Sequence, residues 1–359
     1  MARASARWSG DDVAALIREA ERSSGEGIRA GRYDIAGLRG EAEATAPGLD
    51  ALADRIALSL AHDYAEGSTT AAARAGWGIP RDRIDYTAWL AGALARHDME
   101  GSLRALLPTE GAYAALRDAL GHCDTPPHCL TIRVNMERWR WLPRELGTNH
   151  ILVNPATFRL DLVEQGIVIS THRVIVGKPA SPTPTFATQV TGVTANPWWN
   201  VPQSIVAESV GALVRARPAE AAERGYVAAR GADGRLQVRQ RPGPRNALGL
   251  VKLEMPNAHS VFIHDTPSRD LFEQDRRALS HGCVRTARPD ILAKILLPPD
   301  GAAEFDSLMA SGVNRTLPLA TPVPAYIVYF TAEPDPEAEG GVRFFEDLYR
   351  RDGRVAAAL

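Results

Sequence analysis

Residues 280–285, Ser-His-Gly-Cys-Val-Arg, decide the fold together with residues 263–267, Ile-His-Asp-Thr-Pro, which lie upstream of them. A thiol is an effective nucleophile only as the thiolate, so Cys283 needs a base or a cation beside it. His264 ends the apolar run 261–263, and a strand there would hold its imidazole in a fixed place. The pattern therefore predicts nucleophilic catalysis, with Cys283 as the nucleophile and His264 as its base.

The residues next to Cys283 suit an acyl substrate. Gly282 lets the backbone approach a ligand closely, and we expect main-chain N–H groups there to face a developing oxyanion. Arg285 has a planar guanidinium that fits a carboxylate, and we expect His281 and Ser280 to contact the substrate as well. Any one of these residues alone is more often ordinary core packing, but the cluster favours a catalytic site.

A zinc site is the alternative for the same part of the chain, because His259, His264, His281 and Cys283 are all possible ligands. No Cys-x-x-Cys pair and no helical His-x-x-x-His pair accompanies them. A metal would also occupy the thiolate that catalysis needs. We therefore expect neither a metal nor another cofactor.

Residues 263–267 and 280–285 resemble the signature of L,D-transpeptidases with a YkuD-type catalytic domain. The separation of His264 and Cys283, 283 − 264 = 19 positions, fits as well. The resemblance is to the large periplasmic branch of that family and covers roughly residues 50–352. Its further matches lie at 135–143, 151–155, 176–178, 183–186, 196–202, 245–249 and 344–352.

The resemblance implies an acyltransferase of cell-wall biogenesis and cell shape that is a target of carbapenems. Cys283 would take the acyl group of a peptidoglycan stem peptide at meso-diaminopimelate, and an amine of a second stem would attack the thioester. It further implies that a main-chain carbonyl, rather than the Asp265 side chain, orients His264. We expect Asp265 to cap a turn with Thr266 instead.

The type of cross-link is inferred from a missing segment. Large members of the branch carry a peptidoglycan-binding module, but here the chain passes from Leu120 to Asn135 through a short linker. This arrangement is similar to a branch that forms 1→3 cross-links, so we expect those rather than 3→3 cross-links. The Cys–His pair is equally compatible with an L,D-carboxypeptidase or amidase, which share the acylation step. A wall-binding scaffold without activity is the third hypothesis, and the intact Cys283, His264 and Gly282 argue against it.

The chain as a whole reads as an α+β protein. Leu52, Ile56 and Leu60 are apolar at helical spacing and belong to a predicted helical scaffold domain at 10–121. Short β-rich runs after it predict a mixed β-sandwich catalytic domain, with bounds 135–204 and 248–352. The inserted residues 205–247 are predicted to form a helical cap.

Two shorter segments carry predictions of their own. Residues 122–134 form a predicted linker in which Cys123 and Cys129 are either disulfide-bonded, in an oxidising compartment, or two buried thiols. Residues 138–141, Arg-Trp-Arg-Trp, predict a strand with the tryptophans on one face and the arginines on the other.

A second aromatic segment, residues 198–200, Trp-Trp-Asn, either lines the cleft or fills the sandwich. We count Trp199 and Asn200 among the candidate substrate-binding residues.

Composition limits the location and the partners. The net charge of −2 gives no reason to expect nucleic acid, and no stretch approaches the ~20 apolar residues of a membrane span. The apolar residues 13–17 are too few for the core of a signal peptide. Because the substrate is extracytoplasmic, we expect a periplasmic enzyme whose targeting segment is absent from the sequence or not recognisable. Stem peptides are the expected partner, and the sequence does not identify any protein partner.

Overall fold

The computed structural model describes residues 7–44 and 48–359. The chain divides into two compact units, one made of Met1–Glu145 with Tyr329–Leu359 and the other of Leu146–Val328. Residues 1–6 and 45–47 lie outside the described residues. Within residues 7–44 and 48–359 no helix is both long enough and apolar enough to cross a membrane.

Thirteen α-helices are described, in addition to a π-helix at Val206–Val210 and 3-10 turns at Ser23–Glu26, Arg269–Glu273 and Glu339–Gly341. The α-helices of the described residues are α1 Gly10–Arg22, α2 Ile35–Glu43, α3 Leu49–Glu66, α4 Tyr86–Arg96, α5 Met99–Arg104, α6 Gly111–Gly121, α7 Pro126–Trp139, α8 Gln203–Ile205, α9 Gly211–Ala216, α10 Pro218–Glu223, α11 Pro289–Leu296, α12 Pro299–Ser311 and α13 Asp352–Ala356.

The strands of the described residues are β1 Trp77–Gly78, β2 Asn149–Asn154, β3 Arg159–Glu164, β4 Ile167–Gly177, β5 Thr185–Ala195, β6 Trp199–Asn200, β7 Tyr226–Arg230, β8 Leu236–Gln240, β9 Val251–Glu254, β10 Ile263–His264, β11 Ala278–Ser280, β12 Val284–Thr286, β13 Arg315–Ile327, β14 Ala332–Pro334 and β15 Val342–Phe344. The combination of a helical first part and a β-rich second part confirms the predicted α+β class.

The first unit is built on helices, as the apolar spacing predicts. Leu52, Ile56 and Leu60 are all buried on one face of α3. The Asp85 carboxylate accepts the N–H of Ala88 at 3.0 Å and so caps the start of α4.

The strand predicted at 138–141 is wrong, because these residues end helix α7. Thr125 is the N-cap of α7 and Pro126 its first residue, a position where the missing N–H of proline has no cost. Both arginines are buried rather than solvent-facing, since Arg138 pairs with Asp352 at 2.7 Å and Arg140 with Glu137 at 3.0 Å. The alternation of charged and aromatic side chains at 138–141 is therefore explained by buried ion pairs, not by the two faces of a strand.

The predicted linker 122–134 is also largely helical, because α7 begins at Pro126. The structure joins Cys123 to Cys129 by a disulfide, with the Cα atoms 5.7 Å apart. The bond spans the turn between α6 and α7. The domain bounds differ from the prediction as well, since residues 135–145 and 329–352 belong to the first unit.

The second unit is a mixed sheet whose strands pair in the order β5-β13-β2-β3-β4-β12-β10-β9. A further antiparallel pairing of β5 with β9 joins the two ends of this path. The pairs β13–β2 and β10–β12 are parallel, and most others are antiparallel. The mixed pairing agrees with the prediction, but the strands form one closed hydrogen-bonded path rather than two separate sheets. The long strands β5 and β13 make this possible, because they are 11 and 13 residues long.

The cap contains a sheet that the sequence did not predict. Strands β6, β8 and β7 pair in that order, in addition to the predicted helices. Val201, Val206, Val210 and Val238 form its apolar cluster, against which Trp199 packs. The cap thus begins at Trp199, earlier than the predicted residue 205, because Trp199 and Asn200 supply its edge strand.

Candidate active site

His264 lies at the centre of a three-strand segment of the sheet. It ends the short strand β10, which pairs in parallel with β12 and antiparallel with β9. Its partners in register are Arg285 on β12 and Lys252 on β9. Residues that face each other across neighbouring strands lie on the same side of a sheet. His264 is therefore flanked by two cationic side chains.

The orientation of the imidazole is set by the main chain. Nδ1 of His264 lies 2.5 Å from the carbonyl oxygen of Asp265, and a carbonyl oxygen can only accept a hydrogen bond. Nδ1 therefore carries the proton of the neutral ring, and Nε2 carries the lone pair. Burial, with the nearby charge of Arg285, lowers the pKa of His264 to about 4. The ring is consequently neutral at pH 7 and able to accept a proton at Nε2.

The Asp265 carboxylate does not contact the histidine. It accepts the N–H of Leu250 at 2.9 Å and pairs with Nη2 of Arg269 at 3.1 Å. The resemblance correctly implied a main-chain carbonyl for the orientation of His264. The predicted turn cap on Thr266 is wrong, because the carboxylate points to the start of β9. Gly249, at φ +64°, is needed there, since a Cβ would lie 2.4 Å from the Asp265 side chain.

Cys283 ends the loop between β11 and β12, which we call the nucleophile loop, residues 281–283. Ser280 Oγ donates to the Cys283 carbonyl at 2.6 Å and accepts the Gly282 N–H at 3.1 Å. Thr183 Oγ1 donates to the Gly282 carbonyl at 2.9 Å. After the loop, the Val284 N–H donates to the Phe262 carbonyl at 2.9 Å and starts the pairing with β10. These bonds hold the nucleophile loop in one conformation.

The predicted oxyanion donors need one correction. The Gly282 N–H already donates to Ser280 Oγ, so it is not free for a ligand. The Cys283 N–H finds no acceptor within residues 7–44 and 48–359, and it is the donor left for an oxyanion. Gly282 instead serves the loop by its φ of +118°, a conformation that side chains rarely adopt. Ser280 Oγ is likewise bonded to the main chain of the loop.

The thiol is half-buried and protonated at rest. Burial raises the pKa of Cys283, and the charges of Arg285 and Lys252 act in the opposite direction. Sγ lies 3.9 Å from the carbonyl oxygen of Ser260, an acceptor for the S–H group. Because the Cys283 thiol and the His264 ring are both neutral at rest, transfer of a proton from the thiol to the ring would accompany attack by the sulfur rather than precede it.

Arg285 and Lys252 supply positive charge at this site. Burial lowers the pKa of Arg285, and no carboxylate of the described ranges 7–44 and 48–359 pairs with its guanidinium. Lys252 pairs with Glu254 at 2.9 Å, and its ammonium lies 4.4 Å from the centre of the Phe262 ring. The sequence indicated Arg285 but not Lys252. The only sign of Lys252 was its place in an alternating run, which does not reveal the neighbouring strand.

The remaining predicted residues lie towards the cap. His281 Nε2 is 3.2 Å from Glu208 of the cap, and Trp199 and Asn200 belong to β6 of the cap sheet. His259 packs against Phe186, with the ring centres 4.9 Å apart. No group of three or more His, Cys, Asp and Glu side chains placed for a metal occurs in the part of the chain that the structure describes.

Known proteins show the same division of the chain. A family model described as the L,D-transpeptidase catalytic domain, YkuD, matches residues 148–300. A second model, described as a scaffold domain, matches residues 4–120. A protein of Haemophilus influenzae that is assigned by name to the L,D-transpeptidases is 31% identical over 245 residues. That alignment covers 63% of this chain and 49% of the other, so the chain spans about half the length of this curated relative.

Solved structures of similar proteins overlap only in part. L,D-transpeptidase 3 from Mycobacterium tuberculosis is 12% identical, with 50% of this chain and 60% of the other covered, at a TM-score of 0.27. The catalytic domain of the Enterococcus faecium L,D-transpeptidase, acylated by ertapenem, is 15% identical, with 51% and 98% covered, at a TM-score of 0.25.

Proposed function

We propose that this chain, whose residues 148–300 match the family model of the L,D-transpeptidase catalytic domain, cross-links peptidoglycan stem peptides through a thioester on Cys283. The observation that carries this proposal is the hydrogen bond from His264 Nδ1 to the Asp265 carbonyl, at 2.5 Å. It leaves Nε2 as the basic nitrogen of the neutral ring, and His264 lies in β10, which pairs with β12, the strand that begins directly after Cys283.

The first half-reaction forms the acyl-enzyme. Sγ of Cys283 attacks the carbonyl carbon of the donor peptide bond after meso-diaminopimelate, and His264 Nε2 takes the thiol proton. The C–N bond then breaks, and His264 returns the proton to the departing amine of the D-amino acid. The Cys283 N–H stabilises the oxyanion between these two steps. The Arg285 guanidinium holds a donor carboxylate, because it is buried and a planar fork suits that group.

The second half-reaction transfers the acyl group. An acceptor amine attacks the thioester, a C–N bond forms and the C–S bond breaks. The proton of the amine passes to His264 and then to the departing thiolate. Peptidoglycan is outside the cytoplasm, and we place the enzyme in the periplasm; the Cys123–Cys129 disulfide supports an oxidising compartment.

For the product we propose a 1→3 cross-link. The two matched regions end at 120 and begin at 148, and helix α7, Pro126–Trp139, fills most of the interval between them. This leaves no room for a peptidoglycan-binding module between the two matched regions. The lack of that module is the feature that makes the chain similar to the branch that forms 1→3 cross-links. The amine of the first stem residue is nucleophilic only when no sugar acylates it. The acceptor is therefore a free stem peptide.

Product analysis tests both parts of the proposal. The protein is mixed with a disaccharide tetrapeptide donor and a free stem peptide acceptor, and the dimers are fragmented in a mass spectrometer. We expect the new bond on the N-terminal alanine nitrogen, and we expect no dimer when that amine is acetylated. A bond on the diaminopimelate side-chain nitrogen would overturn the 1→3 assignment. Release of the tripeptide without dimers would indicate a hydrolase, and no turnover would indicate a scaffold.

A further inference from the structure

One side chain of the cap contacts the nucleophile loop. The Glu208 carboxylate lies with Oε2 3.2 Å and Oε1 3.4 Å from Nε2 of His281, two residues before Cys283. Imidazole can donate one hydrogen bond from Nε2, and a carboxylate is its strongest acceptor. The contact joins the cap, which has its own apolar cluster, to the segment that carries the thiol.

Lys178 completes the group from a third direction. Its Nζ lies 3.4 Å from His281 Nε2 and 4.0 Å from Glu208 Oε1. The main-chain N–H of Lys178 donates to the Ser280 carbonyl at 3.0 Å, and this bond fixes Lys178 beside the nucleophile loop. The chain has three lysines, Lys178, Lys252 and Lys294. The carboxylate of Glu208 can thus accept from His281 and attract Lys178 at the same time.

An unusual backbone delivers Glu208 to this place. Residues Val206–Val210 form a π-helix, a conformation found in well under 1% of residues and often at functional sites. The Gly211 N–H donates to the Val206 carbonyl five residues back, and a Cβ on Gly211 would lie 2.5 Å from that oxygen. Val206 and Val210 are buried in the cap cluster. Glu208, between them, is exposed and reaches the nucleophile loop.

We propose that Glu208 is a positioning residue, which latches the cap to the nucleophile loop through His281 and Lys178 and so favours the closed cap around the donor peptide. The inference rests on the proposed function, because it assigns to the cap a role in holding the donor. The latch acts on the binding of the donor, not on the chemical step. Removing it therefore raises KM and leaves kcat nearly unchanged.

Solvent exposure sets the strength of the latch. The side chains of Glu208, His281 and Lys178 are 55%, 42% and 41% exposed. Ion pairs this exposed are weak, so the cap opens readily to admit and release peptides. Reversing the charge at residue 208 removes the attraction to His281 and Lys178 and adds repulsion from Lys178. We expect this change to increase KM by about three- to tenfold.

The test uses the full chain with Glu208→Lys and a matched control, Glu223→Lys. Glu223 is also exposed on the cap, and its side chain finds no partner among residues 7–44 and 48–359. We expect KM for the donor to rise about three- to tenfold in Glu208→Lys, with kcat within about twofold, and no change in Glu223→Lys. Equal KM values for the two variants would overturn the proposal. Alkylation of Cys283 by iodoacetamide shows that the nucleophile loop is intact in both.

Two further measurements separate the latch from the proposed function. The double variant Lys178→Glu with Glu208→Lys restores opposite charges, and we expect it to recover at least half of the lost affinity; no recovery would contradict a direct contact. Hydrogen exchange of residues 206–210 and 281–283 needs no substrate. We expect faster exchange in both segments for Glu208→Lys only. If the wild type turns over no donor, the proposed function fails. The hydrogen exchange rates still show whether Glu208 holds the cap to the nucleophile loop.

Discussion

At the residue scale, His264 and Cys283 are both shifted towards their neutral forms. Burial lowers the pKa of His264 to about 4 and raises the pKa of the Cys283 thiol. A thiolate–imidazolium pair is therefore disfavoured at rest. In the proposed mechanism, charge separation therefore accompanies attack of the sulfur on a substrate carbonyl.

These pKa shifts predict that the rate of acylation falls only at an unusually low pH. His264 acts as a base while it is neutral, so activity is present above its folded pKa and falls as the pH drops through about 4. We expect the second-order rate constant for acylation by a carbapenem to stay level from about pH 7 to about pH 5 and to halve near pH 4. Mass spectrometry of the acylated chain gives the rates, and far-UV circular dichroism checks the fold at each pH. Loss of half the rate near pH 6.5 would contradict the account.

The sequence identified some site residues and missed others for a physical reason. Cys283 and His264 stand out because their residue types and separation are specific to one chemistry. Lys252 and Gly249 do not, since their roles depend on the pairing of β9 with β10, and a local pattern contains no strand register. Ser280 was assigned to the substrate, whereas its hydroxyl is bonded inside the nucleophile loop.

At the scale of elements, the turn before β9 fixes the position of His264. Asn246 Nδ2 donates to the carbonyls of Pro197 at 3.0 Å and Arg241 at 2.9 Å, which ties the end of the cap to the sheet. Gly249 follows at φ +64°, packed against Asp265. The Asp265 carbonyl in turn orients His264. The position of His264 thus depends on Gly249 through Asp265.

We therefore predict that Gly249→Ala lowers acyl transfer by at least about tenfold, because the new Cβ displaces Asp265 and the backbone is strained at positive φ. Gly353→Ala is the control, since its Cβ meets nothing within 4 Å. Donor turnover and carbapenem acylation are measured for both variants, with circular dichroism for the fold. Normal acylation by Gly249→Ala would show that the Asp265 carbonyl does not position the base.

Helix α7 depends on a buried charge cluster in the first unit. The Glu137 carboxylate accepts the N–H groups of Ser68 at 3.0 Å and Thr69 at 2.9 Å, and it pairs with Arg140. Both charged side chains of that pair are fully buried. Loss of one partner leaves the other charge buried and unpaired, which is far more destabilising than exchange of both for apolar groups.

Glu137→Ala should accordingly lower the free energy of unfolding of the first unit by about 3–5 kcal/mol. Urea denaturation followed by circular dichroism at helical wavelengths measures the change. The double variant Glu137→Leu with Arg140→Met should regain part of the loss, because no unpaired charge remains. A loss below about 1 kcal/mol for Glu137→Ala would mean that Arg140 finds another partner.

At the scale of the whole molecule, the sequence predicted the two kinds of unit but not their bounds. The chain returns to the first unit after Val328, where the Thr331 N–H donates to Asn135 Oδ1 at 2.8 Å and Asp352 pairs with Arg138 at 2.7 Å. Such contacts join residues about 200 positions apart, and no local pattern encodes them. This is also why residues 138–141 were read as a strand, since the buried partners of the two arginines lie elsewhere in the sequence.

The central claim is that the donor acyl group is carried on Cys283. The direct test is the mass of the protein after brief mixing with a disaccharide tetrapeptide, without an acceptor, and quenching in acid. We predict an increase equal to the disaccharide tripeptide acyl group, located on the peptide that contains Cys283 and absent from Cys283→Ala. An adduct of the same mass on the Cys283→Ala protein, or release of D-alanine by that variant, would contradict the account.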